Sequence, residues 1–280
     1  MTATKSSELL RARGLRPKKS FGQSFLQEEG ICLRIAELAT TPPGGVVLEI
    51  GAGLGALTRP LLARASRVVA IERDRDLVPI LRAELGQQTG LELVEADAAT
   101  HEWRSSLEGG PAPRVVAGNL PYAITGRLVA RVVEHSRCLD RAVLMVQREV
   151  ADRLVAEPGG RDYGVASVFA QAAFVVERPL RVAAGAFWPV PKVDSAVVVL
   201  TPHPKPRAVE TPTFREVVKR AFAQRRKTLR NAWKGLGGRS PADLQQLAEG
   251  AGIDLSARGE TLAVEAFAQL AQRLDDEAEV

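Results

Sequence analysis

Cysteine is nearly missing from this 280-residue chain: there are two, Cys32 and Cys138, far apart and without a partner motif. That excludes a disulfide framework, and reduced thiols in a cytosolic compartment are the simplest expectation. Histidine is as scarce, with His101, His135 and His203 scattered singly, so no metal centre is suggested. Aromatic residues make up only 5%, with two tyrosines, so those that fall inside motifs stand out. No apolar run reaches the roughly eighteen residues of a membrane span. Met1 to Gly14 has neither the apolar core nor the small-residue cleavage site of an export signal. Neither export nor membrane insertion is signalled, and a cytoplasmic location is expected.

What is present is an ordinary globular composition, 45% apolar, enough for one to two domains. The net charge of +5 is unevenly spread. Residues 1–19 carry +5, residues 215–239 carry +8, residues 20–214 carry −1 and residues 240–280 carry −7. Either basic block alone reads as a solvated face. Two of them flanking a neutral body read as the footprint of a polyanion, with nucleic acid the favoured partner.

Between the blocks, strand and helix patterns alternate. Val46-Val47-Leu48-Glu49-Ile50 is an apolar strand that enters the turn Gly51-Ala52-Gly53-Leu54-Gly55 and exits into a helix. A second strand, Arg67 to Ile71, ends in Glu72, which lies 21 residues after Gly51. That distance places a carboxylate on ribose hydroxyls in a nucleotide-binding βαβ unit. Further strands end in Asp97, Asn119 and Gln147. The pattern predicts an α/β domain with a parallel sheet and a ligand crevice at the strands' carboxyl ends. Phe174-Val175-Val176 and Ser195 to Leu200 have no long helix between them and are expected as an antiparallel hairpin appended to the sheet. Prolines 202, 204, 206 and 212 mark a linker, after which the pattern is helical. Thr213 is a candidate cap for a helix from Phe214, and Ser240-Pro241 opens another. The expected division is an α/β domain with a basic arm over 1–203 and a small helical domain over 211–280.

Gly51-x-Gly53-x-x-Ala56 fits a dinucleotide fingerprint only loosely, which keeps a nicotinamide-dependent oxidoreductase open. Three features favour S-adenosylmethionine instead. Glu49 stands where an acid can serve a cationic aminoacid moiety, Asp97 where one can accept from an adenine amine. The fourth strand delivers Asn119-Leu120-Pro121-Tyr122, which has no obvious use in hydride transfer. The lone pair of an exocyclic aromatic amine is delocalised into its ring. Two acceptors on the amine hydrogens, the Asn119 side-chain oxygen and the Leu120 carbonyl, would favour a pyramidal nitrogen and aim that lone pair. Pro121 fixes the geometry and Tyr122 would stack on a base held out of its helix. Phe187 is a candidate for a second plate.

Five ordered segments complete the picture: Phe21-Gly22-Gln23-Ser24-Phe25-Leu26, Glu49-Ile50-Gly51-Ala52-Gly53-Leu54, Asn119-Leu120-Pro121-Tyr122, Pro191-Lys192-Val193-Asp194-Ser195-Ala196-Val197 and Gln224-Arg225-Arg226-Lys227-Thr228-Leu229-Arg230-Asn231. Through them the chain resembles the KsgA-type ribosomal RNA adenine dimethylases from about Lys18 to Leu270. The resemblance implies a Rossmann-like class I S-adenosylmethionine-dependent methyltransferase domain followed by a small all-helical domain. It implies dimethylation of two adjacent adenosines near the 3′ end of small-subunit ribosomal RNA, on an immature 30S particle, by a monomer. Carried over by position, the cofactor contacts are Ser24, Leu26, Gly51, Gly53, Glu72, Asp97 and Asn119. The target-adenine residues are Asn119, Leu120, Pro121, Tyr122 and Phe187, and the RNA contacts Arg225, Arg226, Lys227 and Arg230. Ser24 replaces the family's usual Asn, which could leave a cofactor contact to water or to Gln23. Ala123-Ile124-Thr125 replaces a frequent Asn-Ile-Ser. Relatives that methylate a large-subunit adenine and confer macrolide resistance are the near alternative. A ribosome-assembly factor that binds RNA without needing catalysis is the more distant one.

Overall fold

Strand β2 (Val46–Ile50) is buried along its whole length because it lies inside a parallel sheet covered on both faces. Its neighbours are β3 (Arg67–Glu72) and β5 (Arg114–Asn119), both parallel to it, with Val46 facing Arg67 on one side and Arg114 on the other. The computed structural model describes residues 6–18, 21–224 and 226–278. With β4 (Leu91–Glu95), β6 (Arg141–Gln147), β7 (Phe174–Val182) and β9 (Ser195–Pro202), the sheet has seven strands in the order β4-β3-β2-β5-β6-β9-β7. The chain reverses direction of travel across the sheet at β2, so the carboxyl ends of β3, β2 and β5 open onto one crevice. The helix Glu29–Ala39 turns Cys32, Ile35, Ala36 and Ala39 into the core, with Ile31 and Leu38 partly buried against it.

At Gly118 the backbone of β5 lies against that of β2. A Cβ on Gly118 would stand 2.4 Å from the Ile50 carbonyl oxygen, a backbone atom that cannot move aside. Only glycine fits, and it sits one residue before Asn119.

Two expectations need correction. The pair β7 and β9 does occupy the sheet edge, with β9 antiparallel to β6. Inside their connection, however, β8 (Phe187–Trp188) leaves the main sheet and pairs antiparallel with β1 (Phe25–Leu26). The second correction concerns the cap. The helix Pro212–Ala223 is capped by Thr211, whose hydroxyl accepts from the Phe214 N–H at 3.0 Å, because Pro212 takes the first helical position. Thr213 instead hydrogen-bonds Asp275.

By contacts the chain falls into two units, Met1–Ala151 with Glu177–Pro202, and Asp152–Val176 with His203–Val280. The second unit takes in a segment that the sequence division assigned to the first. The reason lies in side chains: Tyr163, Val168 and Ala172 bury against Phe214, Trp233 and Phe267 of the helical core. Trp233 is fully buried with its Nε1–H on the Val217 carbonyl at 2.9 Å.

Gly118→Ala should cost about 1–3 kcal/mol of unfolding free energy through overpacking. Urea denaturation of the variant beside the parent measures it; an unchanged midpoint would mean that β5 can move off β2.

Candidate active site

The cavity lies at the carboxyl ends of β2, β3 and β5 and is lined entirely by residues of the first unit. The β2 turn supplies one wall. Gly51 and Gly53 have φ of 73° and 59°, the left-handed region open to glycine without strain. This conformation points the Gly53 N–H at the Glu72 carboxylate, which accepts it at 2.8 Å on one oxygen and the Asp74 N–H at 2.7 Å on the other. Burial pushes the Glu72 carboxyl up from its ordinary value, and the main-chain donors offset part of that rise. Each oxygen keeps a second lone pair for a ligand hydroxyl. Asp97, at the end of β4, accepts the Ala99 N–H at 2.9 Å and pairs with Arg73 at 3.2 Å. The loop beyond it is anchored by Trp103, whose Nε1–H donates to the Ala98 carbonyl at 2.9 Å.

Glu49 is the unusual wall. It is 1% exposed, and its Oε2 has no hydrogen-bond partner among the described residues. Burial pushes its carboxyl up to about 7 and the nearby Glu72 adds to the rise. The Thr58 hydroxyl moderates the shift without closing a hydrogen bond of ordinary geometry.

The opposite wall is the end of β5. Asn119 Nδ2 donates to the Ser24 carbonyl at 3.1 Å. The reverse orientation would set two oxygens against each other, so the bond assigns the carboxamide and leaves Oδ1 as the acceptor. The Leu120 N–H is held by the Met145 carbonyl at 3.0 Å. The peptide that follows has no N–H because of Pro121, so its carbonyl is the one polar group it offers. Tyr122 is pinned through its hydroxyl to Ser195 Oγ at 2.8 Å, and burial raises its pKa, keeping the phenol neutral. Thr125 donates to the Pro121 carbonyl at 3.0 Å and closes the turn, while Ala123 stands exposed on the rim with no polar group.

The structure therefore brings Ser24, Leu26, Gly51, Gly53, Glu72, Asp97, Asn119, Leu120, Pro121 and Tyr122 together around one cavity. Phe187 is not among its walls. It is 2% exposed and packs in the core opposite Leu26, behind the residues that line the cavity. In a two-residue strand one side chain must point in and the other out, and Phe187 is the one that points in. Arg226, Lys227 and Arg230 are exposed on the helical unit, with Arg230 donating to Gln245 at 2.9 Å; Arg225 lies outside the described residues.

Sequence reasoning missed the clasp that holds the arm. Lys18 bonds Asp74 and reaches Asp76 at 2.7 Å, and Gln23 donates to Asp74 at 2.6 Å. Gln23 also accepts the Lys18 N–H at 2.8 Å, so both ends of its amide are engaged within the protein. Burial works against ionisation of Asp74, but Lys18 and the donors around it outweigh that and hold its carboxyl below the usual range. Part of the arm's positive charge thus serves the fold. Ser195 was visible within a motif, but its contact with Tyr122 spans 73 residues and no local pattern signals it.

Among the described residues that line the cavity, Glu49, Glu72 and Asp97 are the acids and Arg73 the one cation, and Arg73 is paired with Asp97. A pyrophosphate would be repelled there. A ligand carrying an ammonium and a sulfonium is matched, and the unpartnered Glu49 oxygen is a seat for the former. This is the active site of a methyltransferase that uses S-adenosylmethionine. Comparison with known proteins narrows the class. The model of the ribosomal RNA adenine dimethylase family matches residues 14–276, and the chain belongs to that family. It is 46% identical over 275 residues to the ribosomal RNA small subunit methyltransferase A of Anaeromyxobacter sp. (strain K), covering 95% of this chain and 96% of the relative. Among solved structures it is similar to a dimethyladenosine transferase from Plasmodium falciparum, at a TM-score of 0.74 and 25% identity, covering 91% of this chain and 98% of that one. It is also similar to the 23S rRNA methyltransferase ErmE, at a TM-score of 0.66 and 30% identity, covering 90% and 99%.

Glu49 gives a stability test. Its folded pKa lies above its unfolded one, so its contribution is full below pH 4.5 and is lost as pH rises through about 7. The loss amounts to about 3 kcal/mol, taking 1.36 kcal/mol per unit. Glu49→Gln should flatten the ligand-free protein's stability between pH 5 and 8 relative to the parent. Parallel pH curves would show that the carboxyl is not desolvated.

Proposed function

We propose that the protein transfers methyl groups from S-adenosylmethionine to the N6 amines of two adjacent adenosines near the 3′ end of small-subunit ribosomal RNA, producing N6,N6-dimethyladenosine. The observation that carries this reading is the Asn119 carboxamide, whose nitrogen is held by Ser24 so that its oxygen is left to accept. Bound S-adenosylmethionine supplies a methyl group already activated by its sulfonium, so no strong base is demanded of the protein. Glu72 holds the ribose hydroxyls, Asp97 the adenine amine and Glu49 the ammonium of that cofactor. Gly51, Gly53, Ser24 and Leu26 shape its bed. Asn119 Oδ1 and the Leu120 carbonyl take the two hydrogens of the target amine and aim its lone pair. Tyr122, fixed by Ser195, stacks on the extruded base. Replacing Asn by Ser at position 24 leaves the Asn119 bond intact, because a main-chain oxygen makes it.

The physiological substrate in this reading is an immature 30S particle in the cytoplasm. The working unit in this reading is a monomer. No helix among the described residues is long and apolar enough to cross a membrane. Exposed Arg226, Lys227 and Arg230, with Arg225, supply phosphate contacts.

The deciding experiment incubates the protein and labelled cofactor with small subunits lacking the modification, maps the methylated nucleotides, and runs large subunits in parallel. Label on the two adenosines is expected; label on a large-subunit adenine alone would transfer the protein to the ErmE-like specificity. Asn119→Ala should lower kcat on the order of 100-fold. Undiminished turnover would remove the acceptor role. Neutralising Arg225, Arg226 and Lys227 together should reduce the slope of log affinity against log salt by roughly two to three. An unchanged slope would make this block a solvated face.

A further inference from the structure

A second cavity of the same unit adjoins the first. It is an open groove of about 1090 Å³, and Gly22, Gln23, Ser24 and Tyr122 line both. Trp188, the partner of Phe187 in β8, is a half-buried lining residue of the groove that packs with Leu9 and Leu15 against Leu10 and Phe25. One face of the indole is backed by Phe25, with ring centroids 6.5 Å apart and planes 26° apart. Phe25 in turn lies against the glycine turn, where a Cβ on Gly53 would meet its ring at 3.4 Å. The indole is therefore a braced plate beside the mouth of the reaction cavity. The charged residues that line the groove are Arg11, Arg16 and Lys192. All three are exposed; among the described residues none of them is ion-paired and no acid lines the groove. A braced aromatic plate, unpaired cations and no carboxylate make a surface suited to single-stranded nucleic acid, where bases stack and phosphates take the charge.

We propose that this groove seats the nucleotide adjacent to the adenosine in the reaction cavity, with its base on Trp188 and its phosphates on Arg11, Arg16 and Lys192. The inference rests on the RNA reading given above. If the reaction modifies two adjacent adenosines, the groove holds one while the other is methylated, and Tyr122 stands between the two bases. A strand leaving the reaction cavity past Tyr122 enters this groove directly, which is the continuity that selects RNA as its occupant.

The chain has three tryptophans, and Trp103 and Trp233 are fully buried. Quenchable emission therefore reports on Trp188. Titration with a short single-stranded RNA holding two adjacent adenosines should quench it, and the response should vanish in Trp188→Phe. In methylation of unmodified small subunits, Trp188→Leu should raise KM about tenfold. Trp188→Phe should restore most of it, and S-adenosylhomocysteine affinity should stay unchanged in both as evidence of an intact fold. Arg16→Gln should lower the salt slope of RNA binding by about one. Unresponsive Trp188 emission, or an unchanged KM in Trp188→Leu, would overturn the proposal. The second outcome would leave the groove, with exposed Val190 and Val193 near it, to a protein partner. Should the parent methylate no small-subunit adenosine while quenching still occurs, the functional reading falls and the groove remains an RNA site of another enzyme.

Discussion

The close contact of β5 with β2 sets the geometry on which the site depends. Parallel strands with crossovers on both sides of β2 bring three strand ends to one crevice, and each end presents a different chemistry. β2 delivers the glycine turn, β3 the Glu72 carboxylate, β5 the Asn119 amide. Gly118 lets the backbones approach until Asn119 stands beside the turn. Any side chain there would push β5 outward and carry the acceptor away from the cofactor bed. The requirement is steric, and it fixes the distance between the two halves of the chemistry before any polar contact is made.

Upon that frame the N-terminal arm adds orientation. A carboxamide at a strand end is free to rotate, and either end can face a cavity. The Ser24 carbonyl removes that freedom. The arm is held by Lys18 and Gln23 on Asp74 and by cations over Phe21, with Lys18 at 5.4 Å and Arg73 at 5.3 Å from its ring centroid. The acid that follows β3 thus stabilises the arm, and the arm aims the acceptor on β5. Acids of the cavity and acids of the clasp lie next to each other in sequence, yet they are tuned in opposite directions: Glu72 is raised by burial and Asp74 lowered by its partners.

Much of this was legible in the sequence because it is periodic or local. Glu72, Asp97 and Asn119 were found as polar residues closing apolar strands, and the glycine turn by its spacing from Glu72. Ser240 was a readable cap because its box is closed within four residues. What escaped depends on contacts that no local pattern encodes. Phe187 and Trp188 are both aromatic, and only the pairing of β8 with β1 determines which faces the core. Thr211 and Thr213 both precede a helical pattern, and the proline between them decides the matter by its preference for the first turn. The segment 152–176 could not be assigned from the linker prolines, because its allegiance rests on Tyr163, Val168 and Ala172 in a core built mostly from residues after 213. The charge of the arm was counted correctly, but charge counts cannot separate a lysine that meets RNA from one that meets an aspartate.

The bond between Asn119 and Ser24 also has a temporal meaning. Its partners are 95 residues apart, and β1 finds β8 only after a still longer stretch of chain has been made. A ribosome synthesises from the N-terminus, so the arm emerges first and waits while the sheet is built. Its docking place on β8 appears near the end of the unit. The acceptor is therefore aimed only once nearly the whole α/β unit exists, and a nascent or truncated chain presents the motif without the means to use it.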